Sequence, residues 1–534
     1  MHWTQLYAPV AGSIPLSALV AALPVFVLLI LLGVLRAPAW KASLAGLASA
    51  ALVAVFIYGM PVGLMLDSAA YGAAFGLFPI SWVVYWAIVL YRITVDTGHF
   101  EIIKDSIAGL TSDAGMQALL IAFAFGAFME GAAGFGAPVA ISAAMLTGLG
   151  FKPFRAAALC LLANTAPVAF GSIAIPLVTL AGVTGLPLEA LSADTGRIIP
   201  PVALIIPAYL ILILGGWRAL RIVLPGAAAC GIAFAGTQFA VSNWIGAPLT
   251  DIVAAVVSVG ALMALLRVWR PRSAYATTPH SHATATVARA WAPYALLVVI
   301  ILLWSVDAIR KPLNAATISF AWPGLHNHIA RVAPAVTKPG LYPAVYNFNY
   351  LAASGTACMV TALLAAAVLA LSPRRLLDIM LASARQLALS ILTMAAVLAL
   401  AFLMNYSGAT ATLGLAFTAT GALFPFFSAL LGWVGVFLTG SDTSSNALFG
   451  NLQVVAAGKL GLNAILMAAS NTSGGVMGKM ISLQSIAVAA AATGMPSSDE
   501  ARLFRFTLKH SMLLATIVGL IVTFFAYIAP SWVK

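Results

Sequence analysis

Charge is what this chain has least of. Of 534 residues only 7% are Asp, Glu, Lys or Arg, and the acidic ones number 14. Soluble domains carry roughly a quarter charged residues. A water-soluble globular protein is therefore excluded, in keeping with a mean hydropathy of +1.04. Cysteine is also rare: Cys160, Cys230 and Cys358 stand far apart in apolar runs, without metal-ligand spacing, and read as packing residues. Enzyme signatures are missing. There is no His-Glu-Xaa-Xaa-His, no Gly-Xaa-Ser-Xaa-Gly elbow and no Walker loop, which argues against an enzyme and against ATP-driven transport by this chain. Neither a cofactor nor a metal site is expected. No basic segment precedes Pro15, so no cleaved signal peptide is expected either.

What is present is a succession of apolar runs of about 20 residues, the length a helix needs to cross a bilayer; barrel strands would alternate instead. The sequence predicts an all-α polytopic membrane protein. Twelve spans are expected near 15–35, 42–65, 71–91, 154–182, 198–216, 221–242, 250–267, 291–306, 344–371, 386–405, 463–490 and 511–530. Two more apolar stretches, 116–150 and 424–460, are too short for two crossings and a turn, which take about 40 residues. Each breaks midway, at 130–136 and at 440–446. Both read as re-entrant hairpins; two short crossings in each would give fourteen spans instead.

The net charge of +12 comes from basic residues scattered over short loops. That pattern fits positive-inside bias, not nucleic-acid binding, and the lipid bilayer is the expected surround. With both termini outside, eighteen of the 26 Lys and Arg residues fall on the cytoplasmic side. The first hairpin then has both ends inside, and the second enters from outside. Opposite orientation marks an inverted repeat. In support, each hairpin is followed by an apolar span holding Asn-Thr and then Gly: Asn164, Thr165 and Gly171, then Asn471, Thr472 and Gly478. The chain divides into a membrane half 1–270, a polar cytoplasmic linker 271–290, and a membrane half 291–534 with an extracytoplasmic loop at 307–343. Residues 94–113 read as an amphipathic surface helix. His280 and His282 in the linker, and His326 and His328 in the loop, read as solvent-exposed. Inverted repeats with broken helices are the usual build of secondary transporters, whose site lies at the midplane.

Ionisable residues at membrane depth are expensive and by default functional. Glu130 sits at the first hairpin tip with no basic residue within twenty positions on either side. Burial disfavours the charged form of a carboxyl group, so Glu130 reads as a proton-coupling residue or else as a helix N-cap. Asp442 has the same two readings, coupling or the cap of a helix over 444–452. Lys479 follows an expected break at Ser473-Gly474-Gly475. Its ammonium needs an anion, either Glu130 or Asp442 in a structural pair, or a substrate carboxylate. Half-helix N-termini favour the same anion. Hydroxyls and amides at similar depth come from Asn164, Thr165, Ser172, Thr443, Ser444, Ser445, Asn446, Asn471, Thr472, Ser473, Ser482 and Gln484. They suit a small hydroxy acid, or else helix–helix contacts. Gly134, Gly136, Gly474 and Gly475 permit close backbone approach.

At these residues the chain resembles a known family. Residues 128–138, 164–171, 440–449 and 471–482, with 148–153, 215–218 and 502–510, are similar in order to the bacterial L-lactate permease family, over most of the chain. The resemblance implies proton-coupled uptake of 2-hydroxymonocarboxylates at the bacterial inner membrane, L-lactate first, with glycolate or D-lactate close behind. It does not assign roles to Glu130, Asp442 or Lys479. One departure is Leu483, where similar proteins usually carry Pro before Gln484-Ser485; it implies a straighter helix and an altered substrate preference. The resulting expectation puts the substrate carboxylate on Lys479 and a helix end at 471–475, and its hydroxyl on the Ser/Thr/Asn lining. The proton travels on Glu130 or Asp442. A sodium-coupled carboxylate transporter and a passive anion channel are the alternatives.

Overall fold

The computed structural model describes residues 2–134, 136–271, 283–336, 338–496 and 499–534. His280 and His282 lie outside the described residues. Helices dominate because backbone N–H and C=O groups in hydrocarbon must be paired within their own segment.

After β1 (Trp3–Thr4), α1 (Ile14–Ala21) and α2 (Leu23–Gly33) meet at a 40° bend. Next come α3 (Ala39–Leu52), α4 (Val62–Phe75) and α5 (Trp82–Asp96). The expected amphipathic helix is α6 (His99–Ala108), which buries Phe100, Ile103 and Ile107 and pairs Lys104 with Glu101 at 2.6 Å. α7 (Ala114–Gln117) runs on through 118–125 into α8 (Gly126–Ala132), and the chain then reverses into α9 (Ala137–Gly148). α10 (Pro153–Ala163) and α11 (Gly171–Thr184) are parts of one helix bent by 63°. The half closes with α12 (Leu188–Ile198), α13 (Pro200–Trp244), interrupted at Gly216, and α14 (Thr250–Val268).

The second half starts with α15 (Thr284–Ser305), which begins inside the expected linker. The segment expected as a plain loop at 307–343 holds α16 (Asp307–Ala315) and short strands. β2 (Ile318–Ala321) pairs with β5 (Val345–Phe348), and β3 (Ile329–Arg331) lies between β1 and β4 (Gly340–Leu341). His326 is not loose in solvent there: its Nδ1 accepts the Ala344 N–H at 3.1 Å. Then follow α17 (Ser354–Val368), α18 (Pro373–Ser407) and α19 (Ala409–Phe417), the last not expected from sequence. α20 (Phe424–Thr439) and α21 (Asp442–Leu460) form the second helix–break–helix unit. α22 (Ala464–Gly478) and α23 (Leu483–Thr493) meet at a 43° bend, and α24 (Glu500–Tyr527) ends the series.

Among the described residues nine helices are long and apolar enough to cross a membrane, or up to twelve with each bent pair counted as one span. The chain is an all-α, multi-pass membrane protein. Three boundaries moved: the break expected at 66–70 falls at 58–61, where Gly59 takes φ 67° and Pro61 starts the next helix, the span expected from 344 becomes helical only at Ser354, after β5, and the span expected from 386 starts at Pro373.

The same order recurs in both halves, a helix–break–helix unit followed by a bent helix. Their contacts are reciprocal. α21 packs on α11, while α23 packs on α9 and α10. The second arm of each hairpin thus rests on the bent helix of the other half. α18 packs against α3, α4 and α5, and α17 against α5 and α15, so these helices flank the hairpins and bent helices. Side chains such as Phe26, Ile30, Ile222 and Ile232 stay exposed on α2 and α13, as lipid-facing positions do.

Candidate functional site

The two hairpin tips and the two helix bends meet around one cavity of about 170 Å³. At ~30 Å³ per water in the liquid, that is room for a compact organic acid and little else. Glu130, Ser172, Asp442, Thr443, Lys479 and Gln484 are among its lining residues.

Each break has a local cause. Gly440, at φ 71°, ends α20, and the Ser441 hydroxyl caps α21 by accepting the Ser444 N–H at 3.2 Å. Ser482 caps α23 in the same way, accepting the Ser485 N–H at 3.2 Å. Gly136, at φ 85°, leads into α9 with Pro138 in its first turn. In α11, Ser172, Ile173 and Ala174 are all left-handed, with φ of 47°, 58° and 61°. Such residues cost about 1–2 kcal/mol each, and Ser172 is held there by donating to the Ala133 carbonyl at 3.2 Å. Gly136 at the start of α9 and the first turns of α21 and α23 therefore line the cavity. Their unpaired N–H groups and helix dipoles favour an anion.

Three ionisable side chains face the same space. Glu130 is buried in the last turn of α8, where the free backbone groups are carbonyls, so it caps no N-terminus. Its carboxyl rests against Gly171, where a Cβ would meet Oε1 at 2.8 Å. Its Oε2 has no hydrogen-bond partner among the described residues. Asp442 is the first residue of α21, and Ser441 is the cap, so the N-cap reading of Asp442 falls as well. Its Oδ2 accepts from the Thr472 hydroxyl and, at 3.5 Å, from the Asn446 amide, while Oδ1 has no hydrogen-bond partner among the described residues. Lys479 Nζ donates to the Gly440 carbonyl at 2.8 Å and pairs with neither carboxylate. Of the two readings of Lys479, the structural ion pair is not formed here, and an ammonium with three donors keeps N–H groups for the cavity.

The structure corrects the expected break in the second half. α22 runs unbroken through Ser473, Gly474 and Gly475, and the chain bends only at 479–482. Asn471, Thr472, Ser473, Gly474 and Gly475 thus form no helix end and do not line the cavity. The glycines serve packing instead. A Cβ on Gly474 would stand 2.0 Å from the Ala429 carbonyl oxygen of α20, and one on Gly475 would meet Asp442 Oδ1 at 2.5 Å. Gly474→Ala should cost about 1–3 kcal/mol through overpacking; an unchanged Tm of the purified protein in detergent would contradict this.

The amides behind the cavity form one network. Asn471 donates to Asn446 Oδ1 at 2.9 Å, Gln453 donates to Asn471 Oδ1 at 3.1 Å, and Asn446 donates to Thr472 and to the Pro176 carbonyl, each at 3.1 Å. Ser445 donates to the Gly432 carbonyl at 3.2 Å. Asn446 therefore supports Asp442, and none of Ser444, Ser445 and Asn446 lines the cavity. In the first half Thr165 bonds the Leu162 carbonyl at 2.7 Å, while buried Asn164 stands beside the Glu130 carboxyl and, among the described residues, neither of its amide atoms meets a partner at full hydrogen-bond geometry. Neither residue lines the cavity. Gln484 does, folded against Gly440. Leu483 leaves the 43° bend in place, because the Ser482 cap, not a proline ring, starts α23.

Ser390 of α18 lines the cavity without having been singled out from sequence, and Ser441, within the expected break at 440–446, lines it as well. Asp251, which does not line the cavity, lies buried in the first turn of α14 beside Gly131. Its Oδ1 accepts from Gln238 at 3.2 Å, and its Oδ2 has no hydrogen-bond partner among the described residues. An acidic residue at the edge of the expected span 250–267 was the available signal.

A profile of the family described as L-lactate permease matches residues 17–529. The glycolate permease of Escherichia coli (strain K12) is 42% identical, with 98% of each chain aligned. The L-lactate permease of Bacillus subtilis (strain 168) is 42% identical over the full length of both chains. Among solved structures, the Alcanivorax borkumensis YdaH transporter aligns with 85% of this chain and 86% of its own, at 13% identity and a TM-score of 0.45.

Proposed function

Because this chain belongs to the L-lactate permease family, we propose that it is a secondary active transporter that takes up L-lactate and related 2-hydroxymonocarboxylates together with a proton. Glycolate and D-lactate are the related acids intended. The observation that carries the reading is the charge balance of the cavity, one ammonium (Lys479) against two carboxyl groups (Glu130 and Asp442). Fully ionised, these three groups sum to −1, and a bound carboxylate makes the total −2. Two like charges at 4 Å repel by about 4 kcal/mol at an effective dielectric constant of ~20. A proton entering with the acid restores −1 and removes most of that cost.

In this reading the substrate carboxylate meets Lys479 and the first turns of α21 and α23. Its hydroxyl meets Ser172, Thr443 or Gln484. The recurrence of hairpin and bent helix supports an inverted repeat, with alternating access by movement of hairpins against bent helices. The basic-residue bias supports the cytoplasmic location of both ends of the first hairpin.

The test is uptake of labelled L-lactate into proteoliposomes under a proton gradient or a sodium gradient imposed separately. Accumulation under the proton gradient alone, competed by glycolate, is expected. Dependence on sodium would overturn the coupling assignment, and equilibration without accumulation would mean a channel. Asp251, behind Glu130, is proposed as a second carrier of the proton. Asp251→Asn keeps an acceptor for Gln238, so proton-driven uptake should slow several-fold while lactate exchange at equal pH persists. Equal loss of both activities would make Asp251 structural.

A further inference from the structure

The far ends of the helices that line the substrate cavity enclose a second, larger space of about 970 Å³. α11 contributes residues near Val183, α18 residues near Asn405, and α21 residues near Asn451. The floor between the two cavities is hydrogen-bonded across these three helices. Asn405 donates to the Val183 carbonyl at 3.1 Å, and Asn451 donates to Asn405 Oδ1 at 3.1 Å.

The lining has a one-sided charge. Arg331 and Lys459 face this vestibule, and among the described residues no Asp or Glu lines it. Arg331 is fixed in place by the small sheet, where it stands opposite Gly340 in β4 while its neighbour Ala330 pairs with Thr4 in β1. Its guanidinium lies over the Tyr342 ring at 4.3 Å. Yet it makes no hydrogen bond or ion pair with any described residue, and its buried Nε has no acceptor. A partly desolvated guanidinium without an acceptor is costly. Its planar fork matches a carboxylate through two parallel hydrogen bonds.

We propose that Arg331 is a second substrate-binding site, which captures the carboxylate of a small organic anion in the vestibule before the anion reaches the Lys479 cavity. The identity of that anion, and the assignment of the vestibule to the extracytoplasmic face, rest on the function proposed above. Lys459 adds long-range attraction, which raises the local anion concentration and is screened by salt. The Asn405–Asn451 floor then separates capture from the inner site.

The experiment is initial-rate uptake of labelled L-lactate by the full chain, reconstituted in one orientation, over a range of concentrations and of ionic strength. Arg331→Gln should raise the uptake KM by roughly tenfold, the scale of a lost charge-assisted hydrogen bond, with kcat unchanged. Arg331→Lys should fall between, since it keeps the charge without the fork. The KM for efflux from the opposite side should not move, which a merely misfolded variant would not achieve. Lys459→Gln should flatten the rise of KM with salt, and it keeps the proposal testable if Arg331→Gln does not fold. An uptake KM independent of Arg331 would overturn the vestibule site alone. Absence of lactate uptake by the unaltered protein would overturn the function proposed above and this site with it.

Discussion

Glu130→Gln should abolish accumulation of L-lactate against its gradient while leaving lactate–lactate exchange measurable. Glutamine has nearly the same shape, so it can occupy the same place against Gly171. What it cannot do is take up and release a proton. With one proton per acid, a gradient of one pH unit can support about tenfold accumulation, the ratio that about 1.4 kcal/mol represents. The variant should stop at about equal concentrations inside and outside. Glu130 is the better first target of the two lining carboxyls. Among the described residues its Oε2 has no hydrogen-bond partner, whereas Asp442 accepts from Thr472 and Asn446. Both donors meet the same oxygen, Oδ2, so an Asp442→Asn side chain keeps them only with its carbonyl turned that way, and lost function would mix coupling with a changed hydrogen-bond network. Tenfold accumulation by Glu130→Gln would shift the proton to Asp442 or Asp251.

The membrane class and the two helix–break–helix units were legible because hydrocarbon imposes strict rules. Apolar runs have a required length, and polar breaks inside them need a reason. For the same cause Glu130, Asp442 and Lys479 stood out singly, and the fold brings all three to one cavity. The finer division was not legible. Ser473-Gly474-Gly475 has the composition of a break, yet small residues also let helices cross closely, and here the crossing of α22 on α20 uses them. Ser441 and Asp442 are both good caps by residue type; only the backbone reveals that the hydroxyl is the one employed. Asn446, Asn471 and Thr472 have the chemistry of a binding site. Their partners turned out to be one another, a matter of side-chain direction that spacing does not encode. Arg331 was invisible for a different reason: β1 and β3 pair residues about 326 positions apart in sequence, Trp3 with Ile329.

Lys479→Ala should raise the KM for L-lactate by about 10- to 100-fold, with a smaller effect on kcat. A hydrogen bond to a charged group contributes about 1.5–3 kcal/mol, and each 1.4 kcal/mol is a factor of ten. Loss of affinity rather than of turnover is expected because the ammonium holds the carboxylate equally at every stage before release. The variant also frees the Gly440 carbonyl that Lys479 now bonds at 2.8 Å. That carbonyl lines the cavity, where water can replace the ammonium, so the hairpin tip should survive. Lys479→Arg tests shape apart from charge. The guanidinium is broader than the ammonium, and a cavity of about 170 Å³ leaves little space for it beside the substrate. Partial recovery by arginine at low lactate, with a reduced maximal rate, would fit a charge that attracts but crowds. An unchanged KM in Lys479→Ala would assign the anion to the helix N-termini alone, and Lys479 would then be a clamp on the tip of the second hairpin.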